Sequence, residues 1–313
     1  MDIDDKIYIR DFTGAVKELP DCTFDLAILD PPYNIGKDFG NDSDRMKMSE
    51  YIDLAGFWIQ ETMRVLKSTG TMFIYGFDEI LARLSAFIPI DQQRWLVWHY
   101  TNKNVANLNF WQRSHESIIC AWKDKSQRIF NTDAVREPYT EGFVKGSAGR
   151  RRPATGTGRG GQNESTYNAN PLGALPRDVM DVPALAGGSS LSERIMWCET
   201  CQRIVPPAER GQHLQHDLVV HPTQKPRRLT ERLIKSCRPE GEFRALIPFC
   251  GSGSECLCVR DLGGRFVSFD LNERYVKMAK AKLTESGIID DIEKGHNQDD
   301  SKRTNQSAPG NGG

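Results

Sequence analysis

Leu26-Ala27-Ile28-Leu29-Asp30-Pro31-Pro32-Tyr33 is the stretch that decides the fold. An apolar run of this length, closed by prolines, suits a strand covered on both faces, as in a parallel sheet. Open α/β sheets gather their ligands outside the carboxyl ends of the strands, and that is where Asp30 falls. Pro31 and Pro32 fix φ and remove two backbone donors, so the carbonyls beside Asp30 face outward with no ladder to join. A rigid group of acceptors results, with an aromatic ring beside it. Such a group suits an exocyclic amine, which can give its hydrogens to the Asp30 carboxylate and the Pro31 carbonyl while Tyr33 stacks on the ring. Read alone, the tetrapeptide is also a strand-to-turn stop with a packed tyrosine.

On the amino side, residues 6–13 read as a short strand ending at Asp11-Phe12, followed by a helix-compatible stretch to Leu19. Asp is a common helix N-cap, and Asp11 reads as one. On the carboxyl side, residues 34–48 have the polar, glycine-containing composition of a mobile loop over a site. Ser49 is expected to cap a helix carrying Ile52, Ala55, Ile59 and Leu66 at helical spacing, and Trp58 is assigned to the same core. Strands at 71–75, 94–99 and 117–122, with a helix at 78–87, continue a βαβα rhythm that implies a mostly parallel sheet covered on both faces. His115, which opens the last of these strands with Glu116, reads as a core or turn histidine.

Past a long irregular segment the rhythm resumes. His221-Pro222-Thr223-Gln224-Lys225-Pro226 leads into a helix reaching Cys237, and a strand at 243–247 runs into Ile247-Pro-Phe-Cys-Gly-Ser-Gly-Ser254. Strand, glycine-rich turn and helix form a geometry for holding a nucleoside cofactor, because glycine lets the backbone approach closely. Asp270, at the end of the next strand, stands where an acid accepts from both ribose hydroxyls. A helix over 272–286 follows, and from about 291 to 313 the polar composition predicts a disordered tail.

The 313 residues carry a net charge of −1, so a grip on nucleic acid has to come from a local basic surface. The acidic start lacks the apolar stretch of a signal peptide, and no run approaches a membrane span. Eight scattered cysteines without a secretion signal suggest reduced thiols and a cytoplasmic location.

The three motifs, in this order, resemble the amino-directed DNA methyltransferases of the permuted β class, in which the catalytic half precedes the cofactor half. The resemblance implies a doubly wound, Rossmann-like α/β sheet of permuted order with an inserted target-recognition region. Residues 1–123 would form the catalytic half, 124–217 the insert and 218–290 the half that binds S-adenosylmethionine. It also implies that Asp30, Pro31, Pro32 and Tyr33 hold a flipped base. Phe249, Gly251, Gly253 and Asp270 would hold the cofactor, with Asp11 and Phe12 near its adenine and Thr223 and Lys225 facing its methionine carboxylate. Ile247 is a departure: the family usually has Asp before Pro-Phe, so an acidic partner for the methionine ammonium is missing. In the family, Asp before Pro-Pro-Tyr leans to adenine N6; cytosine N4 is the alternative, as is an inactive zinc-ribbon DNA-binding protein on the same fold. Double-stranded DNA is the implied partner, together with a cognate restriction endonuclease, and the protein would act as a monomer or homodimer.

Two features of the insert stand out. Lys145 to Arg152, with Arg150, Arg151 and Arg152 in a row and Arg159 beyond, contains no acid from 145 to 163. Glycines between arginines make a cationic strip able to follow a phosphate backbone, or else a solvated loop. Further on, Cys198 and Cys201 are followed by His213 and His216, which could supply four tetrahedral zinc ligands or form an unmetallated turn.

Overall fold

The computed structural model describes residues 1–37, 44–146, 149–152, 165–166, 168–186 and 188–285. Arg159 and the expected tail at 291–313 lie outside the described residues. In chain order the elements are β1 (Lys6–Ile9), α1 (Phe12–Ala15), β2 (Phe24–Leu29), α2 (Met48–Val65), β3 (Leu66–Gly76), α3 (Asp78–Leu84), β4 (Gln93–His99) and β5 (His115–Trp122). Residues 124–217, the expected insert, contribute α4 (Glu141–Gly146), β6 (Arg151–Arg152), β7 (Ser165–Thr166), β8 (Val179–Asp181), β9 (Met196–Cys198) and β10 (Arg203–Ile204). After it come β11 (Leu218–Val220), α5 (Arg227–Cys237), β12 (Arg244–Ile247), α6 (Ser254–Asp261), β13 (Arg265–Asp270) and α7 (Glu273–Glu285).

Eight strands form one sheet in the order β1-β13-β12-β2-β3-β5-β4-β8. All pairings are parallel except those of β5, which runs against both β3 and β4. Every residue of β2 is buried, as its unbroken apolar run predicts. Its side chains alternate between two cores: Leu26 and Ile28 join α5, α6 and α7 on one face, whereas Ala27 and Leu29 join α1, α2 and α3 on the other. Each half of the chain thus covers one face of a shared sheet. Adjacent strands β2 and β12 send their crossovers to opposite sides, to β3 and to β13. That switch point opens a crevice at their carboxyl ends.

One local expectation is corrected. Helix α2 starts one residue earlier than Ser49, with Lys47 at the cap position and no side-chain cap bond. Its start is fixed instead by a clasp, in which Met46 N donates to Asn34 Oδ1 (2.7 Å) and Asn34 Nδ2 donates to Met46 O (2.9 Å). Buried Asp44 completes the clasp by accepting from the backbone N–H groups of Asn34, Ile35 and Lys37. The described ends of the 34–48 stretch are therefore pinned together directly beyond Asp30; the middle of the expected mobile loop, 38–43, lies outside the described residues. The insert does not stand apart either: β8 extends the main sheet and its Met180, with Val182 and Ala184, enters the main core. Among the described residues no helix is long and apolar enough to cross a membrane.

Candidate functional site

A cavity of about 310 Å³ opens at the switch point. Asp30, Pro31, Pro32 and Tyr33 line it from β2, and Phe249, Gly251 and Asp270 line it from the glycine-rich unit. Asp11, Phe12 and Thr223 complete the expected set on its walls. Two expected cofactor residues are not there. Gly253, in the left-handed region at φ +77°, packs against α7, where an added Cβ would come within 2.6 Å of the Ala279 Cβ, so it serves helix packing. Lys225 lies behind Asp30 and is 2% exposed.

At the glycine-rich end, Asp270 holds the turn. Its Oδ2 accepts from Gly251 N and its Oδ1 from Asn272 N, each at 2.8 Å. Burial pushes its carboxyl up to about 6, against these two bonds. Gly251 takes φ +50°, and a Cβ there would meet His221 Nε2 at 2.8 Å, so only glycine admits the imidazole this close. Burial, with Lys225 adding to it, pushes His221 down to about 3, so the ring is neutral at physiological pH. Beside this turn stand three rings: Phe249 is 4.9 Å from Trp58 and 6.0 Å from Phe12, centroid to centroid, both edge-on. Trp58 therefore walls the cavity as well as joining the core, and its Nε1 donates to Thr13 Oγ1 (3.0 Å). Asp11 caps α1 by accepting from Thr13 N with Oδ1 (3.0 Å), as its N-cap reading expects, and it lines the cavity too.

At the other end the acceptor group is part of a buried charge network. Lys225 Nζ donates to both oxygens of Asp30, each at 2.7 Å, and lies 3.8 Å from Glu116 Oε2. Tyr33 Oη donates to Asp30 Oδ1 (2.9 Å) and is 3.2 Å from Glu116 Oε2. The formal charges of two acids and one base leave one negative charge. Burial raises the Asp30 carboxyl despite Lys225, and the carboxylates of Asp30 and Glu116 hold the Lys225 ammonium above its usual value despite burial. Glu255 lines the same cavity, accepts from Ser254 Oγ (2.8 Å), and is pushed up to about 7 by burial and the Asp30 charge. Lys37 lines the cavity as well, its ammonium held below the usual value by burial and by Lys103.

Trp58, Glu255 and His221 line the cavity although the sequence reading gave them no role there, and Glu116 meets Tyr33 without lining it. His115, the neighbour that stands out in sequence, instead pairs with Asp78 (2.8 Å) and does not line the cavity. In the insert, Arg150 and Arg151 are exposed, and β6 pairs with β7 through Arg151 and Arg152. Cys198, Cys201, His213 and His216 come together with all four ligand atoms within 4.8 Å.

The family described as "DNA methylase", of N6/N4 type, matches residues 24–281. The chain is 25% identical over 287 residues to the type II methyltransferase M.HpaI of Haemophilus parainfluenzae, covering 90% of this chain and 74% of that protein. It is 26% identical over 284 residues to the DNA adenine methyltransferase YhdJ of Escherichia coli K12, covering 87% and 80%. Among solved structures it is similar to the cytosine-N4-specific PvuII DNA methyltransferase, at TM-score 0.58 and 12% identity over 90% and 86% of the two chains.

Proposed function

The chain belongs to the N6/N4 DNA methylase family, and from that premise we propose that its target is adenine N6, held flipped out of duplex DNA against Asp30. As a family member it is an S-adenosylmethionine-dependent DNA methyltransferase acting on an exocyclic amine. The observation that carries the assignment of residues is that one cavity joins the Asp30 acceptor group to the glycine-rich turn held by Asp270. Asp before Pro-Pro-Tyr and the likeness to an adenine methyltransferase support adenine over cytosine.

The residues present fit the cofactor. The ring cradle of Phe12, Trp58 and Phe249 suits its adenine, Asp270 its ribose hydroxyls, and the turn closes over His221 without a Cβ in the way. Ile247 is buried in the core, and besides Asp270 the acid of this unit that reaches the cavity is Glu255. We assign Glu255 the methionine ammonium in place of the missing aspartate. S-adenosylmethionine, when bound, supplies an electrophilic methyl group.

Asp30 orients the amine and stabilises the positive charge growing on its nitrogen. A carboxylate offers about four acceptor positions; Lys225 and Tyr33 occupy three, leaving one for an amine N–H. The single net negative charge of the Asp30, Glu116 and Lys225 network matches the single positive charge of the transition state. The raised pKa of Asp30 suits it to take the departing amine proton.

Duplex DNA would approach the edge where β4 ends and β5 begins. Lys103 stands there 3.9 Å from Glu116, and the same loop carries Phe110 and Trp111 at 80% and 86% exposure. Flipping a base costs a few kcal/mol, and exposed rings beside the cavity can fill the vacated stack. Arg150, Arg151 and Arg152 are assigned to phosphates, and Arg159 with them. The reading extends to a cytoplasmic enzyme, monomeric or homodimeric, that works beside a cognate restriction endonuclease.

The test is to incubate DNA with the protein and S-adenosylmethionine and then identify the modified nucleosides by mass spectrometry. N6-methyladenine, absent with Asp30→Ala, is the expected product. N4-methylcytosine would overturn the choice of base, and full activity of Asp30→Ala would overturn the site.

A further inference from the structure

The geometry points to a structural zinc ion bound by Cys198, Cys201, His213 and His216, clamping the insert onto the cofactor half. Cys198 ends β9 and Cys201 closes the tight turn into β10, a knuckle in which Gln202 takes φ +52° and Cys201 N donates to Cys198 Sγ (3.3 Å). His213 ends a short 3₁₀ helix, Pro207–His213, and His216 follows in the next turn.

The distances decide between a metal site and a chance cluster. Zinc holds sulfur at about 2.3 Å and imidazole nitrogen at about 2.05 Å in a tetrahedron, so ligand atoms should stand about 3.5 Å apart for S···N and about 3.3 Å for N···N. Here Cys198 Sγ to His216 Nδ1 is 3.5 Å, Cys201 Sγ to His216 Nδ1 is 3.2 Å and Cys201 Sγ to His213 Nδ1 is 3.8 Å. The two Nδ1 atoms are 3.1 Å apart. Four of the six edges of a zinc tetrahedron are thus present to within about 0.3 Å, and all four ligand atoms lie within 4.8 Å of one another. Two thiolates and two imidazoles are a soft, borderline set that selects zinc among divalent ions, and four protein ligands leave no open position, so the ion is structural.

Arg203 bears on the fit. Its Nη2 is 3.1 Å from His213 Nε2, the nitrogen that carries the proton when Nδ1 binds metal. Two donors then face each other, and Arg203 keeps its bond to Glu209 Oε2 (2.7 Å) while turning from the ring.

The need for a clamp is physical. Strands β9, β10 and β11 are two or three residues long, too short to hold a sheet by themselves. One side of that sheet, through Trp197, Ile204 and Val219, packs on Tyr275 and Met278 of α7, and Tyr275 also lines the cavity. A metal at the outer edge fixes the sheet against that helix.

The test uses the full-length protein purified without added metal. Elemental analysis should find about one zinc per chain, and replacement by cobalt(II) should give the visible bands of tetrahedral thiolate-bound cobalt, lost in Cys201→Ser and His213→Ala. A protein that carries no zinc, shows no cobalt bands and has both thiols freely titratable while folded would overturn the site. Zinc retained undiminished in Cys198→Ser and Cys201→Ser would overturn the ligand assignment.

Discussion

Asp30 and Lys225 form a buried ion pair in which Lys225 Nζ donates to both carboxylate oxygens at 2.7 Å. Removing one member of such a pair leaves a buried charge uncompensated, a loss of about 3–5 kcal/mol. Asp30→Ala should abolish methyl transfer while Glu116, 3.8 Å from Nζ, still neutralises Lys225; Lys225→Met, which leaves both carboxylates without their cation, should lower stability, and the double variant Asp30→Ala, Lys225→Met should recover part of it without supporting methyl transfer. Urea unfolding alongside a transfer assay separates the two effects; equal stability of Lys225→Met and the double variant would deny the coupling. Glu255 makes a prediction of opposite sense. Its carboxyl is raised to about 7 in the folded protein from an ordinary 4.5, so the folded state binds the extra proton and stability falls as pH rises from 4.5 through 7. Glu255→Gln should remove that loss, gaining up to roughly 3 kcal/mol above pH 7. The same variant should bind S-adenosylmethionine more weakly, and the wild type should bind it better as pH rises through 7. Calorimetric titrations at pH 6 and 8 are the check, and pH-independent affinity would free Glu255 of the ammonium.

The loop between β4 and β5 is an element whose shape is set by its own polar bonds. Gln112 Nε2 donates to Lys103 O (3.1 Å) and Asn104 Oδ1 (3.0 Å), and Asn102 exchanges bonds with Ala184. That bracing lets Phe110 and Trp111 stay outside at little conformational cost. Base–aromatic stacking contributes about 1–3 kcal/mol, so Trp111→Ala should reduce kcat/KM on paired duplex by roughly tenfold or more. On DNA whose target base is already mismatched the reduction should largely vanish, and an equal loss on both substrates would assign the ring to general binding. In the insert, neutralising Arg150, Arg151 and Arg152 together should weaken binding to every DNA sequence alike and flatten the salt dependence by up to about one unit per lost contact. A change in the recognised sequence at constant salt slope would make them base readers.

For the whole molecule, the mostly parallel sheet with helices on both faces was legible because an apolar run, two prolines and a glycine-rich turn each dictate local geometry, whereas the permuted order came only with the family resemblance and the antiparallel β5 was not foreseen. What was not legible depends on who becomes a neighbour. Helical spacing marks Trp58 as buried, but not that its face of α2 reaches past the sheet to a cavity. Glu116 is an unremarkable strand residue until antiparallel β5 brings it beside Tyr33, 83 residues away in sequence. Lys225 fits a motif, yet no spacing reveals which carboxylate it faces.

The seam between β2 and β12 also imposes a timetable. Arg244 N, at the start of β12, donates to Asp25 in β2 across 219 residues of chain. At about 5–20 residues per second, a ribosome makes the second strand roughly 10–40 s after the first. Throughout that wait one edge of a wholly buried strand, apolar but for Asp25, has no partner, an invitation to pair with another chain. Nascent chains arrested just before residue 244 should therefore be held by chaperones or aggregate, while chains arrested far enough past Asp270 to free β13 from the tunnel should be released. Co-sedimentation of the two sets of arrested chains would show whether the catalytic corner is the last part of the molecule to become safe.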